Sequence, residues 1–302
     1  MKVAALDLGS NSFLLLIQQK LPSGEVITLH DESVIVRLGE GLQSTQKISE
    51  AALLRAEDCL KSFQKTISLH NPDRIQAVTT AAAREAKNSL NFLDLCNSLG
   101  FSVVTLSGDQ EAHMSYLGAV DSNELTRCLL LDIGGASTES IVGEESKNLF
   151  AKSLPIGAVK MTEKFILSQP TKPNEIHNLK EFLSHECADV WRALKELKPK
   201  KMIAVAGTPT SIAACEVGQF DVQKIEGMKL SLERLEFWIK EFSSLSIESK
   251  KQKYPLGKRA DVILAGTIIL TEYVRATELQ EVVVSTKGIR YGLAQNLFTL
   301  DH

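Results

Sequence analysis

Two short segments of this chain carry residues suited to phosphate chemistry, Asp7-Leu8-Gly9-Ser10-Asn11-Ser12 and Asp132-Ile133-Gly134-Gly135-Ala136-Ser137-Thr138. Each closes an apolar run with Asp-x-Gly and continues in small polar residues. A glycine there permits φ > 0 and close approach, and successive backbone N–H groups then line a concavity that attracts an anion. The hydroxyl and amide side chains of Ser10, Asn11, Ser12, Ser137 and Thr138 add donors. An aspartate repels phosphate, so the natural partner of Asp7 and of Asp132 is a hard cation such as Mg2+ that bridges to phosphate oxygens. A third glycine turn, Gly207-Thr208, follows another apolar run and opens a helix, whose amino end favours an anion or is simply a cap.

Between the two Asp-x-Gly turns lie Arg84 and Glu111. Glu111 follows Ser107-Gly108 near an expected helix start. There a carboxylate either orients water for in-line attack on a terminal phosphorus or complements the helix end. Arg84 offers a planar fork to phosphate oxygens, or else pairs with a neighbouring helix acid.

Strand periodicity predicts a meander over Lys2 to Leu8, Phe13 to Gln18 and Val26 to Val36. A helix over Ser49 to Ile67, a strand over Arg74 to Thr79, a helix over Arg84 to Ser98, a strand over Phe101 to Leu106 and a helix over Asp109 to Val120 follow. Cys128 to Asp132 then restarts the pattern, with strands at Glu139 to Val142 and Leu149 to Leu154. Helices are expected over Lys160 to Leu167, Glu175 to Leu197, Leu232 to Phe242, Arg259 to Ala276 and Gly288 to Phe298, with strands at Met202 to Ala206 and Glu281 to Ser285. The recurrence reads as a duplication. The expected domains are 1–124 and 125–302, with the helix at about 288–302 packing back on the first.

The motifs together resemble the exopolyphosphatase and guanosine pentaphosphate phosphohydrolase (Ppx/GppA) family. The matching segments, in family order, begin with Val3-Ala4-Ala5-Leu6-Asp7-Leu8-Gly9-Ser10-Asn11-Ser12-Phe13, Thr80-Ala81-Ala82-Ala83-Arg84 and Ser107-Gly108-Asp109-Gln110-Glu111-Ala112. Leu131-Asp132-Ile133-Gly134-Gly135-Ala136-Ser137-Thr138-Glu139 and Arg259-Ala260-Asp261 complete them. The resemblance implies an α/β fold of two actin-like, ribonuclease H-like domains with an interdomain active-site cleft. It implies hydrolysis of the terminal phosphoanhydride of inorganic polyphosphate, or of guanosine pentaphosphate, with Mg2+ (Mn2+ as the alternative ion) and homodimer formation. By position, Glu111 matches the family's catalytic base toward water and Arg84 its phosphate-contacting arginine. Asp132 and Glu139 match the acids near the metal, and Gly134, Gly135 and Ser137 match the second phosphate loop. Three positions depart from the pattern: Ala136 replaces a glycine, His113 stands where relatives often carry arginine, and Tyr291 where many carry glutamate.

The 302 residues suffice for two domains. The net charge of −3 argues against a general nucleic-acid binder but leaves a small anionic ligand open. No apolar run approaches the roughly 20 residues of a membrane span, and the opening Met1 to Leu6 lacks a secretory core, so a cytoplasmic location is expected. Five cysteines without a Cys-x-x-Cys pair read as reduced thiols, and His177, His185 and Cys187 lack metal-ligand spacing. The clusters Lys250, Lys251, Lys253, Lys258 and Arg259, and Lys198, Lys200 and Lys201, either guide a polyanion or form solvated surface, the latter being expected because acids balance them throughout. Neither a Walker loop nor a Gly-x-Ser-x-Gly elbow is present. An actin-like kinase or ATPase is disfavoured by Asn11-Ser12-Phe13, Arg84 and Glu111. The three departures keep a non-catalytic polyphosphate or alarmone sensor as the competing class.

Overall fold

A computed structural model describes residues 1–120, 126–144 and 147–299. The chain divides into two compact units, Met1–Gly118 together with the stretch from Gly288, and Ala119–Lys287. The expected boundary at 124/125, and the last three residues of the expected final helix, lie outside the described residues.

In the first unit, β1 (Lys2–Leu8), β2 (Ser12–Lys20) and β3 (Val26–Ile35) form an antiparallel meander. Helices α1 (Leu42–Thr45) and α2 (Glu50–His70) lead to β4 (Arg74–Thr79), which pairs parallel with β1. Then come α3 (Ala81–Glu85), α4 (Ser89–Ser98), β5 (Val103–Thr105) and α5 (Gly108–Ala119), giving the sheet order β3-β2-β1-β4-β5. Strand β1 is apolar on both faces because both are covered. Ala4, Leu6 and Leu8 join one core with Phe63 and Phe92, while Val3 and Ala5 join another. Each fully buried leucine contributes about 1.5–3 kcal/mol. Asp7 falls in the Val3–Ala5 series, so the aspartate ends the strand on the second face.

The expected helix Arg84 to Ser98 is broken into α3 and α4. Asn88 is drawn out of helical pairing because its side chain exchanges two hydrogen bonds with the Ile48 backbone, at 2.8 and 2.9 Å. Lys87 N–H adds a third tether to Gln46 O. The break leaves Arg84 in the last turn of a short helix.

The second unit repeats the plan. Antiparallel β6 (Cys128–Ile133), β7 (Thr138–Glu144) and β8 (Lys147–Leu154) are followed by α6 (Ala158–Phe165), α7 (Pro173–Glu186) and α8 (Ala188–Leu197). Next come β9 (Lys201–Val205), α9 (Gly207–Val217), α10 (Val222–Ile225), β10 (Lys229–Ser231), α11 (Leu232–Ser244) and α12 (Ile247–Lys253). A 3-10 turn at Gly257–Arg259, α13 (Ile263–Ala276) and β11 (Glu281–Val284) complete it. Read from the meander, the order β8-β7-β6-β9-β11 matches that of the first unit, with β10 as an added edge strand. Around it, the core is built on Leu129, Leu131, Trp238, Phe242 and the almost wholly buried α13. This is the 3-2-1-4-5 order of the actin-like, ribonuclease H-like fold. The expected single helix over Glu175 to Leu197 is α7 and α8, which meet at Cys187.

Helix α14 (Ile289–Thr299) returns to the first unit and lays Ile289, Leu293, Ala294 and Leu297 on the Val3–Ala5 face of β1. Its backbone touches that of α5. A Cβ on Gly292 would lie 2.1 Å from Met114 O, and one on Gly118 would lie 2.1 Å from Gly288 O. Arg290 fixes the helix sideways through a bidentate pair with Asp31 at 2.8 and 3.0 Å, and Tyr291 Oη donates to the same carboxylate. Among the described residues no helix is long and apolar enough to cross a membrane.

Candidate active site

Asp7 and Asp132 occupy equivalent places near the carboxyl ends of β1 and β6. Their turns close alike, with Gly9 N–H donating to Ser12 O at 3.1 Å and Gly134 N–H to Ser137 O at 2.9 Å. The reason for glycine differs from the expected one. Neither Gly9 nor Gly134 has positive φ; instead an added Cβ would press on Ser12 O at 3.1 Å and Ser137 O at 3.2 Å. Ala136 is also absent from the positive-φ residues, so an alanine fits the third loop position without strain.

The neighbours of the two aspartates differ. Across the β1–β2 ladder Asp7 faces Leu14, whereas across β6–β7 Asp132 faces Glu139. Directly opposed residues of antiparallel strands share a face, with Cβ atoms about 4.5–5.5 Å apart. Asp132 is 7% exposed and Glu139 1%, so the second unit holds two adjacent, desolvated carboxylates. Like charges so placed repel, and a bound cation is the physical remedy. The oxygen-rich pair fits a hard divalent ion. Ser153, opposite Glu139 on β8, donates to its Oε1 at 2.7 Å.

The predicted hydroxyl donors divide into two groups. Ser10 Oγ accepts from Ala82 N at 3.1 Å and so holds the start of α3, the helix that bears Arg84. Thr138 gives its proton to Ile156 O at 2.5 Å, and Thr208 is buried against Gly266, whose added Cβ would lie 2.3 Å from Thr208 Oγ1. These three hydroxyls build the loops. Asn11 and Ser12 are half-buried, and Ser137 is buried in its turn.

Arg84 and Glu111 meet within the first unit. Arg84 Nη1 donates to Leu106 O at 2.7 Å and to Glu111 Oε2 at 3.2 Å. Glu111 is 6% exposed although it lies in the first turn of α5. Glu111 stands with Asp109 in that first turn, where an acid also complements the helix end, while the side-chain cap is made by Gln110. Ser107 Oγ accepts from Gln110 N, and Gln110 Oε1 accepts from Ser107 N, a reciprocal cap. The Ser107-x-x-Gln110 spacing was the sequence signal for this cap.

At the Gly207 turn, sequence reasoning missed two features. The guanidinium of Arg259 lies on the bare Cα of Gly207: a Cβ there would be 2.5 Å from Arg259 Cζ, and Nη1 donates to Gly207 O at 3.0 Å. Burial pushes this guanidinium down to about 10. The preceding Ala206 has φ 70° and ψ −166°, a region otherwise reserved for glycine. Lys250 is fully buried as well, its ammonium pushed down to about 8 by burial against the pull of Asp261. The expected solvated cluster therefore loses Lys250 to the interior and has Arg259 half-buried against Gly207, while Lys251 and Lys253 remain exposed in ion pairs with Glu248 and Glu241.

His177 and His185 pair with Glu181 and Glu186 at the surface, and among the described residues no group of three or more His, Cys, Asp or Glu is placed to hold a metal by itself. All five cysteines are buried and free, with burial pushing the thiols of Cys59, Cys96, Cys187 and Cys215 up to about 12.

Two units of 3-2-1-4-5 sheet order, each ending its first strand in an aspartate-headed glycine turn, define an actin-like α/β protein. Residues 16–299 match the Ppx/GppA phosphatase family, and the chain belongs to that family. It is 27% identical over 324 residues to Exopolyphosphatase 2 of Mycobacterium tuberculosis, with 98% of each protein covered. It is 29% identical over 297 residues to the guanosine-5'-triphosphate,3'-diphosphate pyrophosphatase of Vibrio atlanticus, covering 97% of this chain and 59% of that protein. The crystal structure of the Aquifex aeolicus Ppx/GppA family member superposes with a TM-score of 0.81 at 30% identity, covering 100% of this chain and 99% of that one.

Proposed function

We propose that this protein is an exopolyphosphatase, a hydrolase that removes the terminal orthophosphate from inorganic polyphosphate. The observation that carries the proposal is the buried Glu111 carboxylate held by the Arg84 guanidinium. In this reading Glu111 accepts a proton from water as it attacks the terminal phosphorus, and Arg84 neutralises charge on the departing phosphoryl group. The backbone donors of Gly9 to Ser12 and of Gly134 to Ser137 hold the phosphate chain, with the Gly207 turn and Arg259 adding positive potential. Asp132 and Glu139 would hold a divalent cation, Mg2+ or Mn2+, and Asp7 is the corresponding candidate acid of the first unit. When bound, that ion supplies charge neutralisation at phosphate oxygens.

The Mycobacterium tuberculosis relative, matched end to end, supports polyphosphate as the substrate. Guanosine pentaphosphate is the second reading, supported by the name of the longer Vibrio atlanticus relative. The three departures have defined places in the fold: Ala136 lies outside the positive-φ region, Tyr291 Oη donates to Asp31, and His113 is exposed on α5. The test is Glu111→Gln, which keeps the shape of the side chain and an acceptor for Arg84. Orthophosphate release from polyphosphate should fall by about 10²–10⁴-fold in a folded protein. Release at the wild-type rate would remove Glu111 from the mechanism.

A further inference from the structure

Beneath the second phosphate loop lies a helix end that the proposed mechanism does not use. The first N–H groups of a helix have no partner within it and must find one elsewhere. In α6 they find the loop: Ala158 N–H donates to Gly134 O at 2.9 Å, and Val159 and Lys160 N–H donate to Gly135 O at 2.9 and 3.1 Å. The two backbones are in direct contact. A Cβ on Gly157 would lie 2.4 Å from the carbonyl carbon and oxygen of Gly135 and 2.5 Å from the carbonyl carbon of Ala136. Backbone on both sides leaves nothing flexible to yield.

The consequence follows from the planarity of the peptide. In a trans peptide the C=O and the next N–H point in opposite directions. With the carbonyls of Gly134 and Gly135 drawn onto α6, the N–H groups of Gly135 and Ala136 are turned away from it, side by side. Two successive N–H groups aimed the same way make an anion nest. Donation into their carbonyls polarises the same peptides and strengthens those N–H groups as donors.

The first unit clamps its loop too, but one residue further along and by different means. Gly39 N–H donates to Ser10 O at 2.8 Å, and Val36 and Arg37 N–H donate to Asn11 O at 3.0 and 2.9 Å. Here the donors come from the irregular segment after β3, with Arg37 held at φ 55°, rather than from a helix. In both units the segment following the third strand clamps the carbonyl side of the loop following the first. The register differs by one residue, so the pair of N–H groups turned outward is Gly135 and Ala136 in the second unit and Asn11 and Ser12 in the first.

We infer that the amino end of α6 is the positioning element of the second phosphate loop, with Gly157 as its positioning residue, so that the Gly135 and Ala136 N–H groups are pre-aimed at a phosphate oxygen. The inference rests on the phosphate-binding role proposed above for this loop. Two variants test it. Gly157→Ala forces the backbones apart. Ala158→Pro deletes one clamping N–H at the first helical position, where proline suits a helix, and Gly157 at φ −131° and ψ 162° accepts a following proline.

The probe is tripolyphosphate titrated into 15N-labelled protein, read at the Gly135 and Ala136 amides alongside steady-state phosphate release. In the wild type those two amide resonances should shift on titration. In Gly157→Ala the shifts should be lost and kcat should fall about 10²-fold while the protein still melts cooperatively. Ala158→Pro should weaken both effects in the same direction, and it decides the matter if Gly157→Ala does not fold. Turnover within about twofold of wild type in a folded variant overturns the inference, as do wild-type Gly135 and Ala136 amides that stay still while phosphate is released. Shifting amides in a wild type that releases no phosphate would leave this inference standing and remove the proposed activity.

Discussion

Replacing Glu139 by glutamine should make the metal-free protein more stable and its response to magnesium weaker. Glu139 faces Asp132 directly across the β6–β7 ladder, both carboxylates are nearly inaccessible, and Ser153 donates to Glu139 Oε1. Two unit charges roughly 5 Å apart repel by about 3 kcal/mol at an effective dielectric near 20. Glutamine keeps an acceptor for Ser153 and removes one charge. A net gain of about 1–3 kcal/mol in EDTA is therefore expected, and for a chain of this size it raises the melting temperature by about 2–5 °C. Magnesium should stabilise the wild type by about 2.7 kcal/mol at a hundredfold excess over its Kd. That increment should shrink severely in Glu139→Gln. The assay is differential scanning calorimetry of both proteins in EDTA and across a magnesium series. A variant that melts below wild type in EDTA and keeps the full magnesium increment would refute the reasoning, because the pair would then be a structural asset rather than a cation site.

Three further outcomes are expected. Arg84→Ala removes the donor to Leu106 O and Glu111 and should lower kcat for phosphate release by about 10²–10³-fold, more than it changes KM, in steady-state assays. Ala206→Gly relieves the backbone at φ 70° and ψ −166°, which costs about 1–3 kcal/mol, against an entropic penalty of about 0.5–1 kcal/mol, so calorimetry should show a net rise in stability. Lys250→Met should be more stable than wild type near neutral pH. Because burial lowers the folded-state ammonium from 10.5 to about 8, the unfolded chain binds more protons between those values, wild-type stability recovers as pH rises, and the advantage of the variant should narrow across that window in denaturant titrations. An advantage that widens with pH would count against the assignment.

Much of the scaffold is written in local pattern. The apolar runs that end at Leu8 and Ile133 mark the two central strands, and the recurring Asp-x-Gly marks the duplication. What escaped was set by contacts between distant segments. The Asn88 side chain breaks the helix that periodicity predicts because its partner is Ile48, forty positions away. Glycine itself is visible in a sequence, but its reason is not. Gly9 and Gly134 avoid a clash within their turns, Gly207 seats the Arg259 guanidinium, and Gly157 admits the Gly135 carbonyl. The Ser107-x-x-Gln110 spacing is a local cap signal that the sequence reading passed over. The Arg84 partner of Glu111, 27 positions upstream, emerges only from the fold. Likewise the basic run from Lys250 to Arg259 looks like surface in one dimension, yet α12 buries Lys250 and the turn at Gly257–Arg259 lays Arg259, half-buried, on Gly207.

The central claim is the hydrolysis of a terminal phosphoanhydride. Its most direct measurement is orthophosphate release by the purified protein from polyphosphates of several chain lengths, guanosine pentaphosphate and ATP, each with and without Mg2+. The expected result is Mg2+-dependent release from polyphosphate, little from ATP, and collapse of the signal in Glu111→Gln. Silence on every substrate with Mg2+ present, or equal release by Glu111→Gln, would contradict the account.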